Sequence, residues 1–457
     1  MKLWDSRFQE KLDKFIEEYT ESISFDHKLL EEDITGSIAH AKMLNKCGII
    51  SDEEYLTIEK ALIEIKKEGK KIEKFPVEFE DIHTWVEARL KEKIGPLAGK
   101  LHTARSRNDQ IVLDEKLYIR KKTQELIEEL ENLQRTLVSH AENEIDTILP
   151  AYTHLQHAQP VSLAFHLLAY FFMFERDIER FKSSLKRHNT CPLGSAACSG
   201  TSIPIDRFLT SNLLEFDRPT ENAMDTVSSR DFIAETIFNC AMTMINLSRL
   251  CEEMVLWSTE EFQFISMSDR VTTGSSIMPQ KRNPDVAELT RGKTGRVVGN
   301  LVSLLVTLKG LPLSYNRDLQ EDKEPLFDSV ETTIKAVRAV NIMLKESRFL
   351  RDNMKKQLEK GYLEATDIAE YLVKKGMPFR EAHRVVGKLV EYAHKNNKKF
   401  KDLALEEFKS FSPLFDTDVF EILDIEKIVD SKKSYGGTAR DLIKKQIEEI
   451  KENKGWL

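Results

Sequence analysis

Long stretches without helix breakers dominate the pattern of this chain. Asn108–Leu149 contains no Gly or Pro, and its apolar residues Leu126, Leu130, Leu133, Leu137, Ala141 and Ile145 fall on one helical face. A helix over that whole stretch would run roughly 60 Å. Val161–Asn189 follows Pro160, which stands where an N1 proline would. Thr220–Thr273 and Leu326–Lys360 are likewise free of both, and Asp285–Leu308, helical in pattern despite several glycines, completes five such segments. Strand signals are few. The expected fold is all-α, with a long five-helix bundle at its centre. In the second run Phe165, Leu167, Leu168, Tyr170, Phe171, Phe172 and Phe174 cover more than one face. That surplus implies burial on several sides, hence self-association.

The flanks read as shorter helices. Gly48 stops one helix, and Ser51-Asp52-Glu53-Glu54 opens the next as a capping box. Glu80-Asp81-Ile82-His83 opens another, through Leu90. After Gly361 the short pattern returns, with Gly376 and Pro378 between two elements. Three domains are expected: 1–107, 108–360 and 361–457.

Composition narrows the function classes. In 457 residues, 41% apolar content supports a sizeable core, and a net charge of −8 speaks against a dedicated nucleic-acid binder. Five cysteines without a C-x-x-C suggest neither a disulfide framework nor a zinc site, and fit a reducing cytosol. The N-terminus shows no apolar signal region, and the most apolar runs are too short to span a bilayer. A soluble, cytoplasmic protein is expected, with no membrane or nucleic-acid partner.

Candidate chemistry gathers at five polar junctions: Lys100–Gln110, Tyr152–Pro160, Asn222–Asp231, Gly274–Asp285 and Tyr315–Asp328. Taken singly, each has an ordinary reading. Arg105-Ser106-Arg107-Asn108-Asp109 suits a carboxylate or phosphate at a helix start, or is a capped charge run. His154 and His157, three apart, lack the carboxylate-rich partner of a metal motif and sit among Thr and Gln. Tyr315–Glu324 offers donors, a lysine and acids, or a plain exposed turn. Gly292-Lys293-Thr294 lacks the earlier glycine and strand of a phosphate loop. Gly274–Asp285, with one glycine, two prolines and adjacent Lys281 and Arg282, has the make-up of a mobile loop or a surface turn.

Together the junctions carry a resemblance. Gly274-Ser275-Ser276-Ile277-Met278-Pro279-Gln280-Lys281-Arg282-Asn283-Pro284-Asp285 resembles the signature loop of the fumarase/aspartase superfamily. His102–Gln110, Tyr152–Gln156, Met224–Asp231, Tyr315–Lys323 and Tyr435–Ala439 resemble motifs of its argininosuccinate lyase family. Two positions depart from the common pattern: Ala104, where many members have Gly, and His157, where many have Arg.

The resemblance implies a homotetramer with a helical core and active sites shared between subunits. It implies β-elimination of argininosuccinate to arginine and fumarate, with neither cofactor nor metal. Carried over position by position, Ser275 is the candidate base and His154 the candidate acid. The exchange of these two roles stays open. Lys281 and Asn283 would stabilise the dianion and Glu288 would orient His154. Ser22, Arg107, Asn108, Thr153, Tyr315, Gln320 and Lys323 would hold the substrate; Ser22 reads equally as a helix cap. A sister lyase and a non-catalytic, crystallin-like relative are the rival readings.

Overall fold

The computed structural model describes residues 12–456. Helix accounts for 68% of the chain, in line with the all-α expectation. Five long helices are present: Arg107–Asn143, Leu163–His188, Asp231–Trp257, Asp285–Leu308 and Lys323–Lys345. Their apolar stripes decide their burial: Leu126, Leu130, Leu133, Leu137 and Ala141 are at most 1% exposed. Three runs stop short of their breaker-free limits. The first helix ends at Asn143, some 55 Å along at 1.5 Å per residue. The third run holds a short helix, Ala223–Ser228, before the long one, which ends at Trp257. The last helix ends at Lys345, and Ser347–Phe349 pairs antiparallel with Ile265–Met267. Absence of Gly and Pro permits a helix but does not extend one.

The chain divides into two compact units. The first comprises Met1–Glu128, Asp177–Met244 and Lys293–Lys335. Its shorter helices follow the sequence signals. Leu30–Lys46 ends before Gly48, whose φ is +73°. Ser51 and Glu54 form the capping box of Asp52–Gly69, and Asp81 caps Ile82–Ile94. The long helices of this unit are laced by polar bonds, such as Asn239 Nδ2 to Ser184 Oγ (3.2 Å) and Asn300 Nδ2 to Ser329 Oγ (3.1 Å).

The second unit comprises Glu129–Arg176, Ile245–Gly292 and Ala336–Leu457. Thr136 donates to Asn341 Oδ1 (2.6 Å), and His140 Nε2 meets the Leu344 carbonyl (3.0 Å). A C-terminal cluster around Ile368, Leu372, Leu389, Phe408 and Phe415 has its own core.

The main correction to the sequence pattern is a hairpin in this unit. Ile148–Thr153 pairs with Gln156–Ser162, and the next helix starts only at Leu163. Pro160 is therefore not at a helix N1 position. It lies opposite Pro150, so neither position requires an N–H for the ladder. Ser162 takes the capping part: its Oγ accepts from Ala164 N (3.2 Å), while its own N–H donates to Thr438 Oγ1 (3.0 Å).

The hairpin turns on two residues, His154 (φ +54°) and Leu155 (φ +57°). A two-residue turn with both φ values positive normally takes Asn-Gly, and a side chain there costs roughly 1–2 kcal/mol per residue. Leu155 is 70% exposed within the chain, so its packing does not offset that cost. Leu155→Gly should therefore stabilise the fold by about 1 kcal/mol in denaturant unfolding. A loss of stability would show that the leucine is engaged elsewhere.

Gly437 supports the same hairpin from a distance in sequence. A Cβ there would lie 2.2 Å from the Lys432 carbonyl oxygen and 2.9 Å from that of Ser434. Gly437→Ala must displace backbone next to Thr438, and should cost about 2 kcal/mol in the same measurement. An unchanged midpoint would contradict this.

Candidate active site

In the first unit, six of the residues singled out for substrate binding line one cavity of about 390 Å³: Ser22, Arg107, Asn108, Tyr315, Gln320 and Lys323. Local structure sets each of them. Ser22 precedes the short helix Ile23–Asp26, and its Oγ donates to Asp26 Oδ2 (2.6 Å). The backbone N–H groups of Ser22 and Ile23 both donate to the Glu80 carbonyl (2.7 and 3.0 Å). Arg107 and Asn108 open the first long helix. Arg107 reaches Gln110 Oε1 (2.8 Å) and Glu87 (3.3 Å), and Asn108 Nδ2 donates to the Ala197 carbonyl (2.9 Å). Gln320 Nε2 donates to the carbonyls of Thr20 and Glu21 (3.4 and 3.3 Å).

The cavity also holds acids that the sequence reading assigned no role: Asp26, Glu80 and Asp81. Glu80-Asp81 had a visible signal, a helix opening, which hid its other face. Burial pushes the Asp26 carboxyl up to about 6, against His83 and its bonds to Ser22 and Ile82. Burial would also raise Asp81, but Arg107, His83 and Thr84 hold it below the ordinary carboxylate value. Burial raises the Tyr315 hydroxyl. Cations and acids thus face one space, which suits a ligand carrying both signs.

Behind this wall, Lys323 is paired in a buried set of four charges. Its Nζ lies 2.9 Å from Asp322 and 3.0 Å from Glu115, while Arg230 contacts Asp322 and lies 3.4 Å from Glu115. Nearby Asp33, His83 and Asp114 put three potential ligand atoms within 4.8 Å of one another. His83 Nδ1 is 3.0 Å from Asp33 and 3.3 Å from Asp114, and burial together with Asp33 raises the Asp114 carboxyl well above the usual range. These three lie 50 and 31 residues apart, which hid them from spacing rules.

The remaining candidates belong to the second unit. Thr153 and His154 stand exposed at the hairpin tip. Thr273–Gly274 pairs with Arg282–Asn283, closing Ser275–Lys281 into a loop on a two-rung ribbon. Ser275 Oγ accepts from the N–H groups of Ile277 (3.3 Å) and Met278 (3.1 Å). Asn283 is half-buried on the ribbon, Lys281 is exposed beside it, and Glu288 is exposed in the first turn of Asp285–Leu308. The loop thus gathers Ser275, Lys281 and Asn283. No hydrogen bond joins His154 to Ser275 or Glu288 within one chain.

Comparisons with known proteins give the chain's family. The Lyase family matches residues 6–299, and the family described as argininosuccinate lyase C-terminal matches residues 362–430. The argininosuccinate lyase of Anoxybacillus flavithermus is 51% identical over 452 residues, covering 99% of each chain. That of Lactococcus lactis subsp. cremoris is 50% identical, covering 98% of each. Among solved structures, EDDS lyase in complex with formate is 27% identical at a TM-score of 0.84, covering 98% of this chain and 92% of its own. The class II fumarase of Schistosoma mansoni, 18% identical, shares the fold at a TM-score of 0.76 over 88% of this chain and 91% of its own. Half of all positions agree with its lyase relatives over nearly the full length, and the chain therefore belongs to the argininosuccinate lyase family.

Proposed function

We infer that this protein cleaves argininosuccinate to arginine and fumarate by β-elimination. Near-complete coverage by argininosuccinate lyases at about half identity carries the reading. The reaction removes a proton from the succinyl carbon next to a carboxylate. The electron pair delocalises into that carboxylate as an enediolate-like dianion. It then returns to form the carbon–carbon double bond as the carbon–nitrogen bond breaks, and the departing guanidino nitrogen takes up a proton.

Ser275 takes the carbon-bound proton. A serine hydroxyl is a poor base unless its oxyanion is held. The two N–H groups already directed at its Oγ, with Lys281 on the same loop, supply that support. Asn283 and Lys281 stabilise the dianion. His154 protonates the leaving nitrogen, oriented by Glu288 of another subunit. The roles of Ser275 and His154 exchanged are the second reading. The amphoteric cavity of the first unit takes the arginine end. Arg107 and Lys323 suit its carboxylate, Asp26 and Asp81 its ammonium, and Ser22, Asn108, Tyr315 and Gln320 hydrogen-bond around them. Thr153, beside His154, contributes from the hairpin.

The protein works as a homotetramer with shared sites. Val302, Leu305 and Val306 form one stripe on the Asp285–Leu308 helix and are 51–60% exposed. Ile277 on the loop is 83% exposed. Such apolar groups suit cover by a second subunit. The chain is read as three parts, 1–107, 108–360 and 361–457; the C-terminal family match begins at 362, next to the last boundary. No helix among the described residues is long and apolar enough to cross a membrane, and the site is proposed to act in the cytoplasm.

Fumarate's ultraviolet absorbance tests the reaction. It should rise with argininosuccinate and stay flat with adenylosuccinate; the reverse pattern would overturn the assignment. Ser275→Ala should keep the native assembly and lose about 10²–10⁴-fold in kcat. Near-native turnover would remove Ser275 from the mechanism. Mixing Ser275→Ala with His154→Ala subunits should restore activity through hybrid sites. No recovery after verified subunit exchange would refute shared sites.

A further inference from the structure

Glu115 sits about two turns along the helix that opens with Arg107 and Asn108, and its side chain is fully buried. It faces Lys323, whose side chain is 4% exposed, and Arg230, which is fully buried. With Asp322 they make a set of two cations and two anions that is almost wholly buried, open to the cavity only at Lys323. Replacing such a set with apolar side chains is often neutral or stabilising, so burial of charge is weak evidence for a stabilising role. Something else must favour it.

The bonding pattern indicates what. Arg230 Nε donates to Asp322 Oδ2 and Arg230 Nη1 to the Ser229 carbonyl (2.8 Å), while the other Asp322 oxygen accepts from Lys323 Nζ (2.9 Å). Without Glu115, the remaining three charges would carry one net positive charge with no counter-ion. Glu115 supplies it, 3.0 Å from Lys323 Nζ and 3.4 Å from Arg230 Nε. A lysine ammonium has three donors on a flexible four-carbon stem. Two carboxylates flank one ammonium, Asp322 accepting its hydrogen bond at 2.9 Å and Glu115 pairing with it as an ion at 3.0 Å, and together they set its direction. Lys323 also lines the cavity that holds Ser22, Arg107 and Asn108.

We propose that Glu115 is a positioning residue that, through Lys323, sets the ammonium to receive a substrate carboxylate. The inference rests on reading this cavity as the subsite for the arginine end. Burial alone would lower the Lys323 pKa, yet Asp322 and Glu115 hold it above the ordinary value; burial and Asp322 in turn push the Glu115 carboxyl up to about 7, against Lys323 and Arg230. Glu115 acts on binding, since the atoms that react lie at the succinyl end.

The test is steady-state kinetics on the full-length protein for four variants: Glu115→Gln, Glu115→Asp, Lys323→Ala and the double variant Glu115→Gln/Lys323→Ala. Glu115→Gln should raise KM for argininosuccinate about tenfold and leave kcat within about twofold. Lys323→Ala should raise KM at least as much. Adding Glu115→Gln to it should change KM no further, because the glutamate acts only through the lysine. Glu115→Asp, which keeps the buried charge but withdraws the carboxylate from Lys323 by one methylene, should fold and raise KM in the same direction; it decides the matter if the glutamine variant does not fold. Native KM in both Glu115 variants, alongside a raised KM in Lys323→Ala, would overturn the inference and leave the cavity reading intact. So would a fall in kcat without a change in KM. Native KM in Lys323→Ala would overturn the reading of Lys323, and the inference with it.

Discussion

Helices of 23 to 37 residues hold together by burying an apolar stripe along their length, and that constraint dictates where chemistry resides. Over most turns a polar side chain must either face solvent or find a partner. The candidate site residues therefore collect at helix ends. Arg107 and Asn108 begin one long helix, Lys323 begins another, and Glu288 lies in the first turn of a third. His154 and Ser275 sit on short hairpin-like excursions between helices. The long helices supply rigidity, and the junctions supply unusual backbone.

The electrostatic arrangement answers the demands of the proposed reaction. A substrate end with both an ammonium and a carboxylate needs a cavity of both signs, and Asp26, Asp81, Arg107 and Lys323 line one. The reacting end needs donors for a dianion and support for a serine oxyanion. Two loop N–H groups, a lysine and an asparagine lie within nine residues of sequence to provide them. Positive φ values at His154 and Leu155 fit the same picture: the strained turn places the proposed acid at an exposed tip.

Much of this was legible in the sequence, for identifiable reasons. The period of Leu126, Leu130, Leu133 and Leu137 announces a buried helix face, and Ser51 with Glu54 announces a cap. The five junctions stood out by composition, and six of the substrate-binding candidates they and Ser22 supplied share one cavity. The Ile148–Ser162 hairpin was hidden because His-Leu stands where turn chemistry expects Asn-Gly, and because Pro160 mimics a helix start. Asp26 and Asp81 were hidden behind their local duties, as partner of Ser22 and cap of a helix. Glu115 was hidden for a different reason. Within a helix it reads as one more charged residue, and only tertiary packing brings it to Lys323, 208 positions away.

The central claim is that Ser275 moves a proton at the succinyl carbon. Proton NMR of the reverse reaction, arginine plus fumarate in deuterium oxide, reads that step directly. The wild-type protein should form argininosuccinate carrying one deuterium on the succinyl methylene carbon, the one not bonded to nitrogen, and Ser275→Ala should form almost none. Labelled product at the wild-type rate from the alanine variant would contradict the account.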